Sequence, residues 1–183
     1  MWGGFALNVG IHAGGSDISG IIERCRSLRV DQICLSTSSI PRFDERGYVE
    51  ANSLANALAA LSEAGISVPT MLMNRWASPE LLEGAPGARE EFNQLCETFS
   101  ALGEASVRSL LFYVRLERAP SREPQQWRSL VAFYRKLGEE AEHCGVKVAS
   151  HAFYRPYSAV RNTETLERLM AEAPNPYNGV TYC

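Results

Sequence analysis

Two hydrophobic periods alternate along this chain. Short runs rich in β-branched and aromatic residues recur six times: Phe5–His12, Gln32–Ser36, Val68–Met73, Ser109–Leu116, Lys147–Phe153 and Gly179–Cys183. Each predicts a strand. Between them the apolar positions fall at helical spacing. Ile18, Ile21, Ile22, Cys25 and Leu28 predict one inward face, after a Gly14-Gly15 turn and a cap from Ser16 or Asp17. Leu54, Leu58 and Leu61 mark a second helix over Val49–Ala64. Phe92, Leu95, Cys96, Phe99 and Leu102 mark a third from Arg89. Trp127, Leu130, Val131, Tyr134, Leu137 and Ala141 mark a fourth over Gln125–Cys144. Leu166, Leu169, Met170 and Ala173 mark a fifth over Asn162–Ala173. Two helix ends share one form, Ala64-Gly65-Ile66 and Cys144-Gly145-Val146, with glycine as the stop.

Strict alternation of strand and helix predicts a parallel α/β fold in one domain. Two architectures carry six such strands: an open doubly wound sheet, or a (β/α)8 barrel shown through strand six. No G-x-G-x-x-G or P-loop sequence follows any strand, so no nucleotide fingerprint favours the open sheet. Length alone favours it, because a barrel takes about 250 residues and this chain has 183.

Composition narrows the function classes. Hydrophobic residues make up 45% and charged residues 21%, as in an ordinary globular protein. A net charge of −3 without a basic run argues against a nucleic-acid partner. The absence of a long apolar run argues against a membrane span. Five cysteines, an odd number without a C-x-x-C pair, predict reduced thiols and a cytoplasmic setting.

The chemistry-bearing residues gather late. His151 lies near the end of the fifth predicted strand and Cys183 at the end of the sixth. In parallel α/β folds, sites form at that end of the strands. One strand-helix-strand crossover separates the two residues, so their strands are expected to be neighbours. Imidazole and thiolate are both ligands for a divalent metal. Taken singly, each residue also reads as a hydrogen-bonded histidine and a small core cysteine.

The run EEAEHCGVKVASHAF, followed by TLERLMAEAPNPYNGVTYC, resembles the mannonate dehydratase family of xylose-isomerase-like TIM barrels. NPYNGVTYC is its most specific piece. The resemblance implies a (β/α)8 barrel of which this chain holds about six strands, a single incomplete domain. It implies that His151 and Cys183 are metal ligands and that the metal is Mn²⁺ or Fe²⁺. The remaining ligands and the catalytic acid and base are expected beyond Cys183. It further implies a hydro-lyase converting mannonate to 2-keto-3-deoxygluconate and water. The chain departs from the family after His151, where Ala152-Phe153-Tyr154-Arg155-Pro156 replaces an acidic run. That departure keeps open a sugar isomerase or epimerase of the same wider group. A metal-free α/β domain that binds a ligand without chemistry is the reading outside the enzyme classes. Substrate-binding candidates are Arg155, His12, Arg75 and Trp76: guanidinium suits a carboxylate, and indole suits a sugar face. The expected partner is a small sugar acid or sugar, with self-association possible. Made alone, the chain is expected to be inactive and to associate through its sheet edges.

Overall fold

The computed structural model describes residues 10–15, 17–152 and 155–181. Six parallel strands form one sheet in the order β1-β2-β3-β4-β5-β6. They are β1 (Ile11–Ala13), β2 (Gln32–Ser36), β3 (Ser67–Leu72), β4 (Ser109–Val114), β5 (Lys147–Ala152) and β6 (Asn178–Val180). The helices are α1 (Ile18–Leu28), α2 (Phe43–Arg46), α3 (Ala51–Glu63), α4 (Pro79–Leu82), α5 (Arg89–Glu104), α6 (Glu123–Cys144) and α7 (Thr163–Glu172). Each strand pairs with the next in sequence. A doubly wound sheet instead starts in the middle and grows both ways, so the open-sheet alternative is excluded. Parallel crossovers are right-handed almost without exception. Five successive ones in a single direction therefore place the helices on the same face and curl the sheet the way a (β/α) barrel curls.

The burial pattern agrees. Along β4 and β5, Leu110, Phe112, Val114, Val148, Ser150 and Ala152 are buried, while alternate residues are half-buried or exposed. Phe112 meets Phe133 of α6 at 6.2 Å between ring centroids. Ser150 Oγ shares a 3.0 Å hydrogen bond with Tyr134 Oη of the same helix. The buried set thus faces the helices. Tyr113 and His151 belong to the opposite, inner face.

Local signals explain most element ends. Asp17 caps α1, its carboxylate accepting from the Ser19 N–H at 2.9 Å. Asn162 and Thr165 form a reciprocal capping box at the start of α7. Gly65 and Gly145 take positive φ of 77° and 70° after α3 and α6, which only glycine does at little cost. Leu28 departs from its expected inward position and is 53% exposed. The chain reverses there through a left-handed Arg29, with the Val30 N–H bonded to the Cys25 carbonyl. Val30 takes the place against the core instead.

The NPYNG turn is a docking device. Asn175 Oδ1 accepts from the Tyr177 N–H at 2.7 Å, and its Nδ2 donates to Glu142. Asn178 Nδ2 donates to the carbonyls of Tyr134 and Ala173, both at 3.1 Å. Both asparagines pack on Gly138 of α6. The first predicted strand is described only from Gly10. The sixth is described to Thr181, whose N–H continues the ladder to the Ser150 carbonyl. Among the described residues no helix is long and apolar enough to cross a membrane.

Candidate functional site at the C-terminal end of the strands

Strand register carries the site. Tyr113 pairs with His151 across β4 and β5, so both side chains leave the same face one step before the strands end. Their rings meet at 4.7 Å between centroids, tilted by 44°. Trp76, from the loop after β3, meets Tyr113 at 5.6 Å. The Arg115 guanidinium, just past β4, lies 4.8 Å over the Trp76 ring. A continuous row thus runs Arg115, Trp76, Tyr113, His151 across the mouth, with Trp76 45% exposed.

His151 is oriented by its own strand. Its Nδ1 lies 2.7 Å from the Ala152 carbonyl. A carbonyl only accepts, so Nδ1 carries a proton, and in the neutral imidazole Nε2 then carries the lone pair. This is the tautomer that a metal-ligating histidine takes when its other nitrogen donates to the backbone. His151 therefore fits a metal ligand in its donor chemistry. Cys183, the second expected ligand, lies outside the described residues. Among the described residues no three His, Cys, Asp or Glu side chains converge on one point.

The other candidates are dispersed. His12 pairs with Cys34, Cys34 with Thr70, and Thr70 with Ser109. This row places His12 on the inner face with His151, four strands away, beside Ser36 across Gly14. Arg75 donates to Gln94 Oε1 at 3.2 Å. Its guanidinium lies where a Cβ on Gly47 would sit, so it ties the loop after α2 to α5. Arg155 follows β5 in a turn closed by the Ser158 N–H on its carbonyl. Trp76 is thus linked to His151 through Tyr113, while Arg75 is turned toward α5.

Tyr113 was not among the candidates drawn from sequence. Its signal was available: in Ser109–Val114 the face opposite Phe112 ends on Tyr113, the last such position before the loop. Thiol chemistry is disfavoured at Cys34 on the inner face and at Cys96 and Cys144 between α5 and α6. Burial pushes Cys34 up to about 11. Burial, then the Glu140 carboxylate, pushes Cys96 up to about 12. Burial, with the hydrogen bond to Glu140, pushes Cys144 up to about 11. All three are protonated at neutral pH.

No family profile matches the chain. It is 33% identical over 67 residues to mannonate dehydratase of Thermotoga petrophila (strain ATCC BAA-488 / DSM 13995 / JCM 10881 / RKU-1), a match covering 33% of this chain and 19% of that protein. The match thus spans about a fifth of the curated relative's length. Among solved structures, mannonate dehydratase from Streptococcus suis serotype2 superposes with a TM-score of 0.76 at 15% identity, covering 97% of this chain and 63% of that one. D-psicose 3-epimerase from Clostridium cellulolyticum H10, in complex with D-tagatose, gives 0.73 at 16%, covering 95% and 62%. Other neighbours are described as xylose isomerase domain and xylose isomerase-like TIM barrel proteins. At such identities the likeness establishes the fold: the six parallel strands follow a xylose-isomerase-like (β/α) barrel over about two thirds of its length.

Proposed function

We propose that this protein is a metal-dependent enzyme acting on a small sugar acid, a hydro-lyase of the mannonate dehydratase type, built as a single (β/α) barrel domain. The observation that carries the reading is His151. It stands on the inner face at the C-terminal end of β5 with Nδ1 donating to the backbone, and in this reading Nε2 is the nitrogen that would ligate a metal. The partial similarity to mannonate dehydratase supports the choice of reaction.

His151 Nε2 and Cys183 would hold a divalent ion, Mn²⁺ or Fe²⁺. When bound, such an ion supplies a Lewis acid that lowers the cost of removing the proton beside a carboxylate. Tyr113 packs against the imidazole and fixes its plane. Trp76 offers an apolar face to the sugar carbons, Arg155 and His12 offer charge and hydrogen bonds, and Arg75 braces the loop that carries Trp76. The catalytic acid and base have no assignment among these residues.

A sugar isomerase or epimerase is the second reading. Arg155 favours it by standing where the dehydratase resemblance has acidic residues, and the epimerase overlay is nearly as close as that of the dehydratase.

The test begins with metal content. The full-length protein is loaded with Mn²⁺, desalted and analysed by inductively coupled plasma mass spectrometry, beside its His151→Ala variant. Loss of one ligand of a multidentate site is expected to lower retained metal at least about tenfold. Equal retention in the two proteins rejects His151 as a ligand, and no retention in either favours a metal-free binding domain. A substrate panel then divides the enzymatic readings. Release of a 2-keto-3-deoxy acid from an aldonate supports the dehydratase, and conversion of neutral ketohexoses alone supports the isomerase or epimerase.

A further inference from the structure

The turn that seats β6 holds a dipeptide with chemistry of its own. Asn178-Gly179 is the one place in the chain where asparagine precedes glycine. Asparagine in that setting is prone to modify itself, because glycine has no Cβ to shield its amide nitrogen from the preceding side chain. The Gly179 nitrogen bonds to Asn178 Cγ and loses its proton. The Cγ–Nδ2 bond breaks, and the proton leaves with that nitrogen as ammonia. Water then opens the cyclic imide at either carbonyl, giving aspartate or isoaspartate. Asn175 has no such route, since Pro176 follows it and has no N–H.

The native structure restrains this reaction. Asn178 Nδ2 donates to the carbonyls of Tyr134 and Ala173, at 3.1 Å each. These bonds turn the side chain toward α6. Gly138 permits the approach, as a Cβ there would lie 2.9 Å from Nδ2. Gly179 meanwhile pairs with Ala149 in the ladder between β5 and β6. Ring closure needs the side chain released from α6 and the Gly179 nitrogen released from the strand, so it proceeds where β6 opens locally. The same seat is closed to the product. It offers Nδ2 two carbonyls, both of them acceptors. Oδ1 is buried with no donor among the described residues. A carboxylate in this place loses both hydrogen bonds, faces two carbonyl oxygens and gains no donor.

We propose that Asn178 is a site of spontaneous deamidation, held inert while its side chain is seated on α6, and that conversion to aspartate or isoaspartate releases the NPYNG turn irreversibly. Opening of β6 then leaves a permanent mark: the turn reseats on asparagine and not on its product. In sequence β6 leads through Thr181 to Cys183, so the strand released is the one that carries the second proposed metal ligand. That last consequence rests on the functional reading above; the modification and its effect on stability do not.

The test ages the full-length protein in mildly alkaline buffer, beside the same protein unfolded in urea and a synthetic peptide of residues 173–182. Peptide mapping by mass spectrometry follows the mass gain of deamidation at Asn178. The peptide and the unfolded protein are expected to react at similar rates, and the native protein at least about tenfold more slowly. Gly138→Ala, which crowds Nδ2, is expected to speed the native reaction. Aged protein, separated from unmodified protein by ion exchange, is expected to unfold at a lower urea concentration, and Asn178→Asp to do the same without ageing. The aged sample keeps the test readable if Asn178→Asp does not fold. A native protein that deamidates as fast as the peptide would overturn the protective seat. A deamidated protein with the urea midpoint of the unmodified one would overturn irreversible release. No mass gain at Asn178 in the unfolded protein would remove the site altogether. Failure of metal binding at His151 changes none of these outcomes.

Discussion

At the scale of single residues, position decides what a side chain is for. Arg75 and Arg115 are both arginines just past a strand, yet one braces Gly47 and Gln94 while the other roofs Trp76. Nothing local to Arg75 announces a partner 19 positions on. Gly138 is a clearer case, because two local rules conflict there. Alanine in a helix interior is favoured over glycine by about 1 kcal/mol. A Cβ at Gly138, however, would sit 2.9 Å from both Asn175 Cβ and Asn178 Nδ2. Neither asparagine is free to yield, since each is tied by its own hydrogen bonds. Overpacking of this kind costs about 1–3 kcal/mol. Gly138→Ala is therefore expected to lower stability by up to about 2 kcal/mol in urea denaturation. A stabilised variant would show that the NPYNG turn is not seated as described.

Among the elements, the long ones were legible and the short ones were not. Among the described residues the predicted helices and strands return within a few residues, because periodicity over three turns outweighs noise at the ends. α2 and α4 have four residues each, too few to show a period. They form because tertiary contacts fix them, as Phe43, Leu81 and Leu82 are buried. The site divides in the same way. His151 was drawn from its place near the end of a predicted strand and from the family resemblance, and Tyr113 was readable from strand alternation, but the stacking of Trp76 depends on a loop whose path no pattern encodes. The joint between α6 and β5 adds a polar test. Tyr134 and Ser150 are both fully buried and share one hydrogen bond. Tyr134→Phe leaves the Ser150 hydroxyl without that partner, at a cost of about 1–3 kcal/mol. The double variant Tyr134→Phe/Ser150→Ala removes both hydroxyls together. It is expected to be more stable than Tyr134→Phe alone, by the midpoint of urea unfolding. A double variant no better than the single one would mean that Ser150 finds another acceptor.

For the whole molecule, the governing fact is a sheet covered on one face and paired in sequence order. Among the described residues β1 and β6 each have one neighbour. Unpaired strand edges invite a second chain. The 183-residue chain is therefore expected to elute in size-exclusion chromatography with light scattering as a monomer giving way to dimers as concentration rises. A monomer at every concentration would count against open edges. The same pairing order has an entropic consequence. Register partners lie only about twenty to forty residues apart all along the sheet. Closing a loop costs about 0.6 kcal/mol more for each doubling of its length. Every strand therefore meets its partner at nearly the same cost, roughly 1.2 kcal/mol below that of a sheet joining its first strand directly to its last. As the chain leaves the ribosome, each strand finds the edge it needs already made by the one before it.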